Sequence, residues 1–138
     1  MSKLRYYKGL FLVAAIYDLI LGLVFTFIPK SAFYLIGIPE KAPDFTGYLS
    51  LIGAYLLIIG IAYFLIYKGD LQKNLDLILI GLLYKLAYCS VVFYYFIIGD
   101  LPHIIFLVLF GLIDIIMFAL MLECYISVRK QKEIQSLS

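Results

Sequence analysis

Gly81-Leu82-Leu83-Tyr84-Lys85-Leu86-Ala87-Tyr88-Cys89 lies in the middle of an apolar run spanning residues 75–98. The run is long enough to cross a bilayer, whose hydrocarbon core of about 30 Å takes about 20 helical residues. A lysine at its centre is costly, roughly 2.5–3.5 kcal/mol on insertion scales. Partners of opposite charge offset that cost, and two stand inside other apolar runs: Asp18 and Asp114. The chain therefore reads as an all-α transmembrane bundle organised around three buried charges.

Composition agrees. The chain has 138 residues, 65% hydrophobic and 14% charged, with a mean hydropathy of +1.07. A soluble domain carries about 25% charged residues. One integral membrane domain is expected. The net charge of +2 is too small to suggest nucleic acid. Cys89 and Cys124 have neither disulfide nor metal spacing and read as buried thiols. Lys3, Arg5 and Lys8 precede the first apolar run as they would in a signal peptide. That run is too long for one, contains Asp18, and lacks a small-residue cleavage site.

Four spans follow from hydropathy and punctuation, over residues 9–28, 45–67, 71–98 and 101–124. Pro29 ends the first. Lys30 to Gly37 is too short to span and reads as a short interfacial helix between the first and second spans. Asp44 and Asp70 are expected to cap the second and third helices, and Asp100 to repeat the device before the fourth. Gly69 and Gly99 would end the helices before them. Pro102 falls in the tolerated first turn of the fourth span, and the polar tail 127–138 is expected to fray.

The basic residues are asymmetric. Lys3, Arg5, Lys8, Lys68, Lys73, Arg129, Lys130 and Lys132 fall on one side, against Lys30 and Lys41 on the other. By the positive-inside rule both termini are cytoplasmic, as an even number of spans allows. Tyr17, Tyr55, Tyr84 and Tyr88 lie away from the expected interfaces, so their hydroxyls need partners in an apolar setting.

Counted from the cytoplasmic ends, Asp18, Lys85 and Asp114 are each about nine or ten residues deep, roughly 14–15 Å at about 1.5 Å per residue. They share the midplane. Their helical faces carry Phe11, Ala14, Ala15, Gly22 and Phe25 around Asp18; Ile78, Gly81, Tyr88, Cys89 and Val92 around Lys85; His103, Leu107, Phe110, Gly111, Phe118 and Met121 around Asp114. Gly22, Gly81 and Gly111 lie within a turn of each charge and favour close helix approach, and Gly53 and Gly60 form a small-residue stripe on the second helix. His103 reads as an interface residue, and Asp76 and Glu123 as solvated boundary residues.

Two readings of the charges compete. In one they are an ion pair fixing helix register. In the other they form the polar end of a site, ringed by Tyr17, Tyr84, Tyr88 and Phe110. Two aspartates facing one lysine leave an excess negative charge when all are ionised, which a bound proton, a cationic substrate or a ligand head group would balance. The second reading predicts a cavity between the first, third and fourth spans that reaches Lys85.

Tyr17-Asp18-Leu19-Ile20-Leu21-Gly22, the connector Leu35-Ile36-Gly37-Ile38-Pro39, Gly81 to Lys85 and Gly111 to Asp114 together resemble the DoxX-like small four-helix membrane proteins of bacteria. The resemblance covers most of the chain through short apolar motifs. It implies a multi-pass protein of the bacterial cytoplasmic membrane. Some relatives are membrane subunits linked to quinone-dependent sulfur oxidation or redox homeostasis. It carries over no catalytic residue.

No nucleotide loop, metal-ligand cluster or nucleophile–base pair is present in the sequence, so no cofactor is expected and the reading leans away from an enzyme. Three functions remain. The first is a structural scaffold or accessory subunit with a protein partner. The second is a subunit binding a lipophilic molecule, such as a quinone or lipid, with the charges at its polar end. The third is a small proton-coupled transporter acting as a homodimer.

Overall fold

The computed structural model describes residues 3–137. It is an all-α bundle with four helices long and apolar enough to span a membrane. These are α1 (Lys3–Phe27), α3 (Gly47–Lys68), α4 (Leu75–Ile97) and α5 (Ile104–Leu137). The short α2 (Pro29–Leu35) lies between α1 and α3, followed by a single 3-10 turn, Pro39–Lys41. Exposed leucines, isoleucines and valines cover the outside, as lipid-facing surfaces require.

Local sequence sets the joints. Gly37 and Gly99 adopt φ of 77° and 75°, the left-handed conformation that side chains resist. Each closes a helix in the same way. Ile38 N–H donates to the Phe33 carbonyl and Gly37 N–H to that of Tyr34; Asp100 N–H donates to Tyr95 and Gly99 N–H to Phe96. Gly69 ends α3 without that conformation, at φ −84°.

Several expected boundaries shift. α1 begins at Lys3, because its basic first turn continues the helix beyond the apolar run. Asp44 does not cap α3, which starts at Gly47 after Thr46 with no side-chain cap. Asp70 does accept from the backbone N–H of Gln72 (2.8 Å) and Lys73 (3.3 Å), but it caps an irregular turn ahead of Leu75. Asp100 is not a cap and Pro102 precedes the helix. His103 caps α5, its Nδ1 accepting from Ile105 N–H at 3.2 Å. The tail continues α5 as helix to Leu137; Ser138, its last residue, lies outside the described residues.

α1 packs chiefly on α3, and α4 on α5. The α1–α3 contact is made by small residues. A Cβ on Gly22 or Gly60 would meet Leu57 or Leu19 at 2.8 Å, and one on Gly53 would strike Thr26. The two helix pairs are joined differently, by polar side chains. Tyr63 of α3 donates to the Gly81 carbonyl of α4 (2.9 Å), and Tyr17 of α1 to the Leu109 carbonyl of α5 (2.7 Å). Tyr7 of α1 donates to Glu123 of α5 (2.9 Å), so that boundary carboxylate, although exposed, is bonded. In a membrane, where apolar burial does not drive helix association, such bonds and close packing do that work.

Candidate functional site

The charges meet at the junction of the two pairs. Lys85 Nζ donates to both oxygens of Asp18, at 2.8 and 2.9 Å, and to Asp114 Oδ1 at 2.8 Å. Three carboxylate oxygens thereby surround the ammonium group. Lys85 and Asp18 have zero exposure and Asp114 only 2%. The ammonium also lies 5.5 Å from the centre of the Tyr17 ring and 5.7 Å from that of Tyr63, a favourable placement over aromatic faces.

Each charge is delivered by its helix. Asp18 stands on the buried stripe of α1 with Phe11, Ala14, Ala15, Gly22 and Phe25, the face expected from the sequence. Lys85 shares its stripe with Ile78, Gly81 and Cys89. Asp114 follows a π-helical stretch, Val108–Ile113. Such wide turns withdraw carbonyls from the regular ladder and recur at functional sites. Here two of those carbonyls are taken from outside: Leu109 by the Tyr17 hydroxyl and Gly111 by the Cys89 thiol, at 3.6 Å. Gly111 is thus a bonding position more than a close-approach one. The wide turn also places Met117 in the core and leaves Phe118, expected on that face, at its edge.

Tyr63 is absent from the sequence reading, yet it has zero exposure, bonds Gly81 and faces Lys85. A Cβ on Gly81 would lie 2.5 Å from its ring. The signal was present: Gly53, Leu56, Gly60, Tyr63 and Ile66 fall at spacings of three or four residues, the buried stripe of α3.

A separate cleft of about 470 Å³ occupies the half of the bundle away from the termini. Leu49, Ile52 and Tyr55 of α3 form one wall. Tyr84, Ala87, Tyr88, Val91 and Val92 of α4 form the other. Phe25, Phe106 and Phe110 close the back. Tyr88 and Phe110 rings stand 5.7 Å apart, and Phe106 stacks on Phe110 at 6.3 Å. Tyr55, Ala87 and Val91 are exposed, so the cleft opens sideways towards lipid.

The cavity expected between the first, third and fourth spans, reaching Lys85, is not what forms: the cleft has the second and third spans, α3 and α4, as its walls and stands apart from the charges. Tyr84, Tyr88 and Phe110 line the cleft, while Asp18, Lys85, Asp114 and Tyr17 do not. The cluster satisfies itself, so helices close around it. Tyr84 forms the partition. It lines the cleft, and its buried hydroxyl has that of Tyr88 as its polar neighbour, with Asp18 and Tyr63 further off. Tyr55, expected in the interior, is an exposed wall residue. Cys89 and Cys124 are free and buried, as read from their spacing.

Comparison of the chain with protein-family models, curated proteins and solved structures gives no match.

Proposed function

We propose that this multi-pass membrane protein is a binding subunit for a lipophilic molecule, which reaches the α3–α4 cleft from within the bilayer. One observation carries the reading: an aromatic-walled cleft of about 470 Å³ that opens sideways between two spanning helices. Its size falls within the range of small-molecule sites, about 300–1,000 Å³. The lining is almost wholly apolar. It suits a hydrocarbon chain or ring, with any head group held outside. The isoprenoid tail of a quinone meets that description, in keeping with the DoxX-like resemblance.

The charged cluster is assigned a different task. Its side chains bond one another across α1, α4 and α5 and do not line the cleft, which favours a register-fixing role over contact with the ligand. The same separation weighs against a proton-coupled transporter. By the positive-inside rule we place both termini in the cytoplasm of a bacterial cell. A cysteine placed at Lys130, in a background without Cys89 and Cys124, should then resist an impermeant thiol reagent on intact cells, while one at Lys41 reacts. The reverse pattern would invert the orientation.

Solvent extraction of purified protein, followed by mass spectrometry, tests the binding role. Protein with the native cleft should carry one lipophile enriched over the bulk membrane, and Val91→Trp, which blocks the cleft, should lack it. Identical lipid profiles, both matching the bulk membrane, would remove the binding role and leave a scaffold.

A further inference from the structure

The two carboxylates of the central cluster are not held alike. Asp18 presents both oxygens to Lys85 Nζ, at 2.8 and 2.9 Å. Asp114 accepts through Oδ1 alone, at 2.8 Å. With every group ionised the cluster would carry one net negative charge. It sits in the middle of an apolar bundle, where an uncompensated charge is strongly disfavoured. Among the described residues, the groups facing it do not supply a second cation. α1 contributes Tyr17 beside Asp18, α3 contributes Tyr63, α4 contributes Tyr84, Tyr88 and Cys89 beside Lys85, and α5 contributes Asp114 itself. The space between the carboxylates, where a metal cation would bridge them, is filled by the ammonium group.

We infer that Asp114 is a proton-binding site: Oδ2 carries a proton while Oδ1 accepts from Lys85, and the cluster rests as an Asp18 carboxylate, a Lys85 ammonium and a neutral Asp114 carboxyl group. The assignment follows from the bonding. A carboxyl group that keeps its proton does so on the oxygen not already accepting from an ammonium, and Asp114 has such an oxygen whereas Asp18 has none. This assignment is independent of what the cleft binds.

Infrared spectroscopy of protein in nanodiscs, with isotope-labelled aspartate, tests it. At neutral pH the wild type should show the carbonyl stretch of a protonated aspartic acid, shifted by the label, and Asp114→Asn should lose it. Absence of the band in the wild type would overturn the inference, in favour of a charged cluster or a bound monovalent cation. Persistence of the band in Asp114→Asn would also overturn it, by moving the proton to another aspartate. Stability gives a second readout. Asparagine reproduces the shape and hydrogen bonding of a neutral carboxyl group, so Asp114→Asn should move the thermal midpoint by less than about 3 °C. Asp18→Asn removes the counter-charge of Lys85 and should lower the midpoint by about 10 °C or more, or abolish folded protein. Equal losses in the two variants would mean that both aspartates are ionised, and the assignment would fail.

Discussion

In the half of the bundle nearest the termini, Phe11, Ala14, Tyr63, Ile78 and Met121 all have zero exposure and belong to one continuous apolar cluster. Across the charges, in the opposite half, the corresponding cluster shrinks to Phe25, Leu56 and Phe110, with half-buried neighbours. There the space between helices remains open as the cleft. The same four helices build both halves, so the contrast comes from side chains. Small residues let α1 approach α3 along its length. Between the pairs, Tyr63 and Ile78 fill the interior of the first half, whereas the large rings of the second line its walls. The charged cluster and Tyr84 lie where one half gives way to the other. Closing one half completely while leaving the other open separates the task of holding four helices together from the task of receiving a guest.

The largest effect expected in either half comes from removing the pin. Lys85→Met leaves Asp18 buried without its partner, and breaking a buried pair costs about 3–5 kcal/mol. Denaturation of purified protein in detergent should show that loss, while Lys68→Met, at an exposed lysine over the Phe64 ring, changes little. Adding Asp18→Leu should restore more stability than adding Asp114→Leu, because Asp18 holds Lys85 with both oxygens. Equal rescue by the two would mean that the cluster treats its carboxylates alike.

Next in size is overpacking of the closed half. Gly81→Ala drives a methyl group against the Tyr63 ring, 2.5 Å away. The ring is fixed by its own hydroxyl bond and has nowhere to move. A loss of about 1–3 kcal/mol is expected. Gly9→Ala, where an added Cβ meets nothing within 4 Å, is the control and should be neutral or slightly stabilising. A neutral Gly81→Ala would show that the first half is looser than its burial implies.

A smaller effect is expected at the π-helical stretch. Tyr17→Phe removes the donor to the Leu109 carbonyl. A hydrogen bond of this kind contributes about 0.5–1.5 kcal/mol net. The variant should unfold earlier by that amount, and amide exchange should speed up around Val108–Ile113 ahead of the rest of α5. Uniform exchange along α5 would mean that the wide turn does not depend on this bond.

Much of this architecture is legible in the sequence. Four apolar runs, and the equal depth of Asp18, Lys85 and Asp114, follow from counting residues, since a helix converts sequence distance into depth at a fixed rate. The buried stripe of α1 was legible for the same reason. Helix ends were less so. Basic residues beyond the bilayer continue α1 and α5 as helix, and hydropathy does not record that. The π-helical stretch was hidden, because shifting the backbone bond by one residue leaves no mark in composition. The cleft was anticipated in its aromatic lining but misplaced relative to Lys85. Sequence gives the number of buried charges, but not that one ammonium group would find three carboxylate oxygens and close the space around it.

The smallest effect is also the one that most sharply divides the halves. Ala87 is an exposed wall residue of the cleft. Its replacement by phenylalanine adds a ring, as gross a change as Gly81→Ala is slight. In the closed half so large an insertion would force side chains from their rotamers. In the open half the ring can lie in a space of about 470 Å³ without displacing a neighbour. Its contact with Tyr55 and Val91 replaces contact with lipid, which is nearly neutral because lipid tails are as apolar as the wall. Ala87→Phe should therefore unfold within about 0.5 kcal/mol of the wild type, the range of substitutions that disturb no packed feature, while losing the co-purifying lipophile. A destabilisation comparable to that of Gly81→Ala would show that the cleft is closed in the membrane, and the contrast between the two halves would no longer stand.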